Sequence, residues 1–148
     1  MDPEQKVKEL GLELPDVQIG DRPLIPWVRS GNLLYLSGKT PGSGKQGQVG
    51  KDLSTEEGYQ AARDCAIGQL AVAKAALGDL NKVKRVVKVL GMVNAVPEFT
   101  EQPQVINGFS DLLVEVFGEN GRHARSAVGM GSLPGNASVE VEVIFEVE

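Results

Sequence analysis

The stretch from Val139 to Glu148 constrains this chain more than any other. Val139, Val141, Val143, Phe145 and Val147 alternate with Glu140, Glu142, Ile144, Glu146 and Glu148, and only an extended strand turns a period of two into one apolar and one polar face. Such a strand needs a sheet beside it and a core behind its valines. The run from His123 to Met130 alternates as well, with His123, Arg125, Ala127 and Gly129 on one side and Ala124, Ser126, Val128 and Met130 on the other. Read as two arms of a hairpin with Arg125 opposite Glu142, the segments put Arg125 on the face of Glu140 and diagonal to it, a spacing that long side chains bridge. A slip of one residue would set Arg125 among the valines, which burial disfavours.

The strand needs partners, and the chain supplies them. Lys82 to Val96 carries Val86, Val87, Val89, Leu90, Met92 and Val93, apolar on both faces, so both must be covered. Leu24 to Arg29 and Leu33 to Ser37 favour extended structure, and Gly31-Asn32 between them suits a type II′ hairpin turn. Gln46 to Val49 is a candidate short edge strand. Three helices punctuate these segments. Asp2-Pro3-Glu4 opens a short one at about residues 3 to 10. Ser54-Thr55-Glu56-Glu57 is a capping box opening a long one that carries Ala62, Ala66, Leu70, Ala73 and Leu77 on one stripe and stops at Gly78. The third, about Pro103 to Phe117, buries Val105, Ile106, Phe109, Leu112, Leu113 and Val116 and stops at Gly118.

The order predicts a single α+β domain over 1–148, with residues 1–23 an N-terminal helix and connector and 24–147 the core: one sheet with two main helices packed on one face. Helices on one face leave the other for a partner subunit, so a symmetric homo-oligomer is expected. The alternative is a monomer whose N-terminal segment covers that face.

Several functions are disfavoured. One cysteine, Cys65, precludes an internal disulfide, and with a single histidine no zinc spacing exists. A net charge of −5 and 5% aromatic residues offer neither a phosphate-binding face nor base-stacking platforms; the Lys82, Lys84, Arg85, Lys88 cluster is the one basic patch. Gly42-Ser43-Gly44-Lys45-Gln46-Gly47 matches G-x-G-x-x-G in form, but no helix opens there and no P-loop Ser or Thr follows, so a plain loop is expected. Neither an apolar run of membrane-spanning length nor the regions of a signal peptide occur, and a cytoplasmic protein is expected. The chemistry then rests on Arg125 and Glu140, which form either a structural ion pair or a site where the arginine fork grips a carboxylate ligand.

Ser30-Gly31-Asn32-Leu33-Leu34-Tyr35-Leu36-Ser37-Gly38-Lys39-Thr40-Pro41, the capped Ala-rich helix, Asn107, Ala124-Arg125-Ser126, and Leu133-Pro134 followed by Val139-Glu140-Val141-Glu142 resemble, in order and spacing, the RidA (YjgF-type) family, also labelled endoribonuclease L-PSP. The resemblance implies a chorismate-mutase-like fold and a homotrimer with sheets inside, helices outside and a ligand cleft at each subunit boundary. It also implies cofactor-free hydrolysis of 2-imino or enamine acids to 2-keto acids and ammonia, with neither nucleic acid nor membrane as partner. By the same resemblance Arg125 binds the substrate carboxylate and Glu140 positions water. Ser37 and Gly38 line the cleft, Asn107 is a family-typical helix residue, and Ala127 brings its backbone near the ligand. Two positions depart from the pattern: Leu24 stands where a tyrosine is expected, and Ala127 where a cysteine is. With the extra N-terminal residues, these mark a longer, divergent branch. A non-catalytic trimer that binds keto acids through Arg125 is the alternative, and a ribonuclease the less favoured one.

Overall fold

The computed structural model describes residues 1–42 and 45–148; Ser43 and Gly44, at the centre of the glycine-rich G-x-G-x-x-G stretch, lie outside the described residues. Five strands, β1 (Trp27–Ser30), β2 (Leu33–Lys39), β3 (Val83–Asn94), β4 (Ala124–Met130) and β5 (Val139–Val147), make one sheet in the order β1-β2-β5-β3-β4. The helices are α1 (Pro3–Glu9), α2 (Thr55–Leu77) and α3 (Gln102–Phe117). The expected α+β architecture is present.

Local signals act as the sequence predicts. Gly31 takes φ 60° in the β1–β2 turn. At the start of α2 the Glu57 amide donates to Ser54 Oγ at 3.1 Å while the Ser54 amide donates back to Glu57 Oε1 at 3.1 Å. Gly78 ends that helix in the left-handed region at φ 81°. The alanines of α2 have a purpose in packing. Ala61, Ala62, Cys65 and Ala66 are fully buried, and a Cβ on Gly108 of α3 would collide with the Tyr59 carbonyl oxygen, so the two long helices meet backbone to backbone. Beneath α3, Gly91 of β3 lets Ile106 sit directly on the sheet.

Strand order departs from the hairpin expected at the C-terminus. β3, α3 and β4 form a parallel crossover unit in which Val89 pairs with Arg125, and β5 runs antiparallel to both β3 and β2. β3 therefore lies between β4 and β5, and Arg125 does not oppose Glu142. Arg125 aligns with Val89 and, across it, with Val143, on the valine face that the sequence reading disfavoured. That placement is tolerable because β4 is the sheet edge and α3 brings polar side chains over the guanidinium. Gln46 and Val49 form isolated bridges to Ala137 and Ala95 and not an edge strand.

α2 and α3 cover one face. On the other, Tyr35 aligns with Ile144 and Lys88, Leu90 with Glu142, and Met92 with Glu140 and Val128. Tyr35 is 43% exposed and Val128 38%. The N-terminal segment does not cover this face, contrary to the monomer alternative. Val7 of α1 is buried in the core, Glu4 accepts from Lys74 Nζ at 2.8 Å and from the Leu80 amide at 2.7 Å, and the following connector runs along α2. No helix among the described residues is long and apolar enough to cross a membrane.

One irregularity matters for the site. Leu36 pairs with Val143 and Lys39 with Val141, so β2 holds one residue more than β5 there, and Ser37 and Gly38 together face Glu142. This is a β-bulge, a device that re-aims side chains beside sites.

Candidate functional site

The sequence-predicted residues fall into two groups. The first surrounds Arg125. Its Nη1 donates to Asn107 Oδ1 at 2.8 Å and to Ser110 Oγ at 3.1 Å. Asn107 and Ser110 lie three apart on α3, hence on one side of the helix. Ser110 Oγ is in turn 2.9 Å from His123 Nε2, and His123 Nδ1 is 2.7 Å from the Gly121 carbonyl. The carbonyl only accepts, so Nδ1 carries the proton, Nε2 is the acceptor, and the Ser110 hydroxyl donates to it while accepting from Arg125. A chain of directed bonds thus runs from Gly121 to the guanidinium. Burial holds His123 below its ordinary 6.5; the Gly121 carbonyl opposes that shift and the Arg125 charge adds to it. Burial also pulls Arg125 below the ordinary guanidinium range, against the favourable charge of Asp111. Asp111 accepts from Tyr59 Oη at 2.7 Å, a bond that, with burial, pushes the Tyr59 hydroxyl up to about 12.

Two of the guanidinium's five donors are spent, both on Nη1. The edge formed by Nε and Nη2 makes no hydrogen bond, and Arg125 has no ion pair among the described residues. That edge is the one that fits a carboxylate bidentately. Ala127, two residues on, pairs with Gly91 and packs against the core.

The second group surrounds the bulge. Gly38 lacks a side chain where one would collide with Glu140 Oε2, so the Glu140 carboxylate lies directly over the bulge backbone. Ser37 ties the strand to the connector: its amide donates to the Pro26 carbonyl at 2.9 Å and its hydroxyl to the Ile25 carbonyl at 2.7 Å. This holds Leu24, 51% exposed, at the wall of a cavity of about 270 Å³ shared with Arg22, Ser37, Gly38, Lys39, Gln69 and Val72.

Gln69, fully buried on α2, donates through Nε2 to the Ser37 carbonyl at 2.8 Å and the Val141 carbonyl at 3.0 Å. Its Oε1 has no partner, a deficit that costs about 1–3 kcal/mol.

The two groups do not meet within one chain. Arg125 pairs with Val89 and Glu140 with Met92, so they are two strands and three residues apart. That puts their Cα atoms about 14 Å from each other, and they project from opposite faces. The expected proximity of the two is therefore absent within the chain. Ser110, His123 and Gln69 were missed from sequence. Asn107, Ser110 and Asp111 form a polar stripe at i, i+3 and i+4 on an otherwise apolar helix, and Gln69 is the lone amide between buried alanines and leucines; either irregularity would have pointed to them. Among the described residues no cluster of His, Cys, Asp and Glu fits a metal.

Comparison with known proteins identifies the relatives of the chain. The family model described as "YjgF/chorismate_mutase-like, putative endoribonuclease" matches residues 4–147. The protein TCP17 of Trypanosoma cruzi is 46% identical over 146 residues, covering 95% of this chain and 91% of its own. The crystal structure of the protein Atu1372 from Agrobacterium tumefaciens, of unknown function, superposes with a TM-score of 0.91 at 51% identity, covering 99% of this chain and 92% of that one. A structure from Shewanella oneidensis described as a "putative endoribonuclease" gives 0.93 at 34% identity, covering 99% and 100%. With its sheet, helices and sequence all matched, the chain belongs to the RidA/YjgF family and has the YjgF/chorismate-mutase-like fold.

Proposed function

We propose that the protein hydrolyses reactive 2-imino acids and their enamine tautomers to 2-keto acids and ammonia, in clefts between copies of the chain in a homotrimer. The observation that carries this reading is the Arg125 guanidinium, oriented through Nη1 by Asn107 and Ser110 with its Nε–Nη2 edge unspent. A planar carboxylate fits that edge, and lysine would not replace it. Because Arg125 and Glu140 lie on opposite faces, one ligand meets both only if a second copy supplies one of them. The uncovered face with Tyr35, Val128 and Ile144 is where such a copy would dock.

The chemistry asks little of the protein. A 2-imino acid is already electrophilic at C2. With its carboxylate fixed by Arg125, a water held by Glu140 attacks C2 as the carboxylate takes a proton from that water. The nitrogen takes that proton to complete the tetrahedral carbinolamine; Glu140 then moves the proton of the new hydroxyl to the nitrogen as the C–N bond breaks, and ammonia and the keto acid leave. An enamine enters the same route after protonation at its terminal carbon.

The test is to generate 2-iminobutanoate in place with a dehydratase and follow 2-oxobutanoate release. Acceleration by the protein, lost in Arg125→Ala and at least about tenfold weaker in Arg125→Lys, is expected. A rate equal to buffer, or an undiminished rate in Arg125→Ala, refutes the reading. One observation favours a second reading, a non-catalytic keto-acid binder: Leu24 offers no hydroxyl at the cavity wall. Keto-acid binding without turnover would select it. Ribonuclease activity has weaker support, since Arg85 of the basic cluster turns its Nη2 to the Arg122 carbonyl at 2.9 Å and stands beside Glu146.

A further inference from the structure

Arg125 keeps an open edge although a carboxylate stands next to the serine that orients it. Asp111 follows Ser110 on α3, one turn beyond Asn107, with its Cβ about 6 Å from that of the asparagine. It is exposed, and its charge acts on the guanidinium. Asparagine and aspartate have the same reach, and Asn107 already touches Nη1 at 2.8 Å. A helical side chain also leans back over the turn that precedes its own Cα, which for Asp111 is the turn carrying the guanidinium. Even so, Arg125 makes no ion pair with Asp111 or with any other described residue.

The cause lies across the helix seam. Tyr59 Oη donates to Asp111 Oδ2 at 2.7 Å, a bond of the strong, charge-assisted kind. Its hydroxyl, pushed up to about 12, stays a donor throughout the neutral range. Gly108 makes the bond possible: with no Cβ there, the α2 backbone at Tyr59 lies against α3, and the phenol reaches Asp111 three residues along. One turn further, Arg63 Nη1 meets Glu115 Oε1 at 3.5 Å, so positions 59 and 63 of α2 match 111 and 115 of α3. α2 packs over β2 and β5, whereas α3 packs over β3 and β4. Tyr59 therefore draws the Asp111 carboxylate toward the middle of the sheet, away from the β4 edge where Arg125 stands.

We propose that Tyr59 is a positioning residue that holds Asp111 off the Arg125 fork, so that the fork stays open to a free carboxylate. Asp111 is the chain's own imitation of the ligand. Once released it competes as a tethered carboxylate does, at an effective concentration of millimolar order. The half-buried guanidinium, bonded only through Nη1 to two neutral oxygens, favours an anionic partner. A fork occupied by Asp111 in about nine molecules of ten would raise the apparent Kd of a free ligand about tenfold. This inference rests on the reading that Arg125 receives the ligand's carboxylate.

Calorimetry with 2-oxobutanoate on the full chain tests it in a cycle of four proteins: the parent, Tyr59→Phe, Asp111→Ala and the double variant. Tyr59→Phe keeps the ring and its packing, and should bind the keto acid about tenfold more weakly. The double variant should bind as tightly as the parent or more so, because alanine has no carboxylate to offer the fork. Asp111→Ala alone should not weaken binding. Melting curves on the same samples identify a tie that is merely structural: its loss lowers Tm in Tyr59→Phe and in the double variant alike and gives no rescue of affinity. Unchanged affinity in Tyr59→Phe, a loss that persists in the double variant, or weaker binding in Asp111→Ala overturns the proposal and leaves the Arg125 clamp standing. A parent that binds no keto acid removes the clamp, and this role of Tyr59 with it.

Discussion

Replacing Gly108 by alanine should loosen the protein and its arginine clamp together. The added Cβ would collide with the Tyr59 carbonyl oxygen and stand 2.9 Å from the Tyr59 carbonyl carbon and 3.1 Å from the Arg63 amide nitrogen. All three are backbone atoms of α2, so no rotamer change relieves the clash and the helices must part. Overpacking costs about 1–3 kcal/mol, and a backbone collision belongs at the upper end. Alanine returns about 1 kcal/mol through its better helix propensity. The net loss is then about 2 kcal/mol, a fall in Tm of about 4–8 °C for a chain of this size. Parting the helices also carries Asn107 and Ser110 away from Arg125, so keto-acid affinity should drop although no contact residue has changed. Thermal unfolding followed by circular dichroism, with calorimetry on the same sample, reads both effects. Gly131→Ala, which meets no atom within 4 Å, is the control. A Gly108→Ala protein melting within about one degree of the parent would refute the account of the helix contact.

Two further outcomes follow from the site. Gly38→Ala should displace the Glu140 carboxylate, whose Cδ lies 3.0 Å from the new Cβ; kcat for imine hydrolysis is expected to fall about tenfold or more while Tm holds, and an unchanged kcat in steady-state assays would remove Glu140 from the proposed chemistry. Burial keeps His123 below 6.5 in the folded chain, so the unfolded chain binds more protons just below that pH; stability should be full above about pH 6.5 and decline beneath it, and a Tm series whose acid limb is no flatter in His123→Gln would show that His123 does not drive the decline.

Most of the fold was legible because most of it is local. The Ser54–Glu57 box, the Gly78 stop and the Gly31 turn are decided within a few residues of chain, and they stand where the sequence puts them. Strand neighbours are not local. The alternation from Val139 to Val147 tells which face each side chain takes and nothing about which strand lies alongside. Two cues were present all the same. Residues 131–138 are long for a hairpin loop, and β3–α3–β4 is the strand-helix-strand order that pairs in parallel. Reading Arg125 by burial alone failed for a related reason, since Asn107 and Ser110 on α3 make the valine face hospitable to one guanidinium. The residues of the site were legible as types and positions. Their division between two faces was not, because it follows from the strand order.

The single extra residue in β2 acts as a change of parity. Up to Leu36, odd and even positions keep the faces set by pairing with β5; after Ser37 and Gly38 the assignment inverts, and Lys39 aligns with Val141 on the helix side. Were the same residues paired without a bulge, Lys39 would align with Glu140 on the face of Tyr35 and Ile144, away from Gln69 and Arg22. The bulge that absorbs the extra residue therefore decides which side of the sheet receives a positive charge, whereas deleting that residue would straighten the strand and leave the lysine beside Val141.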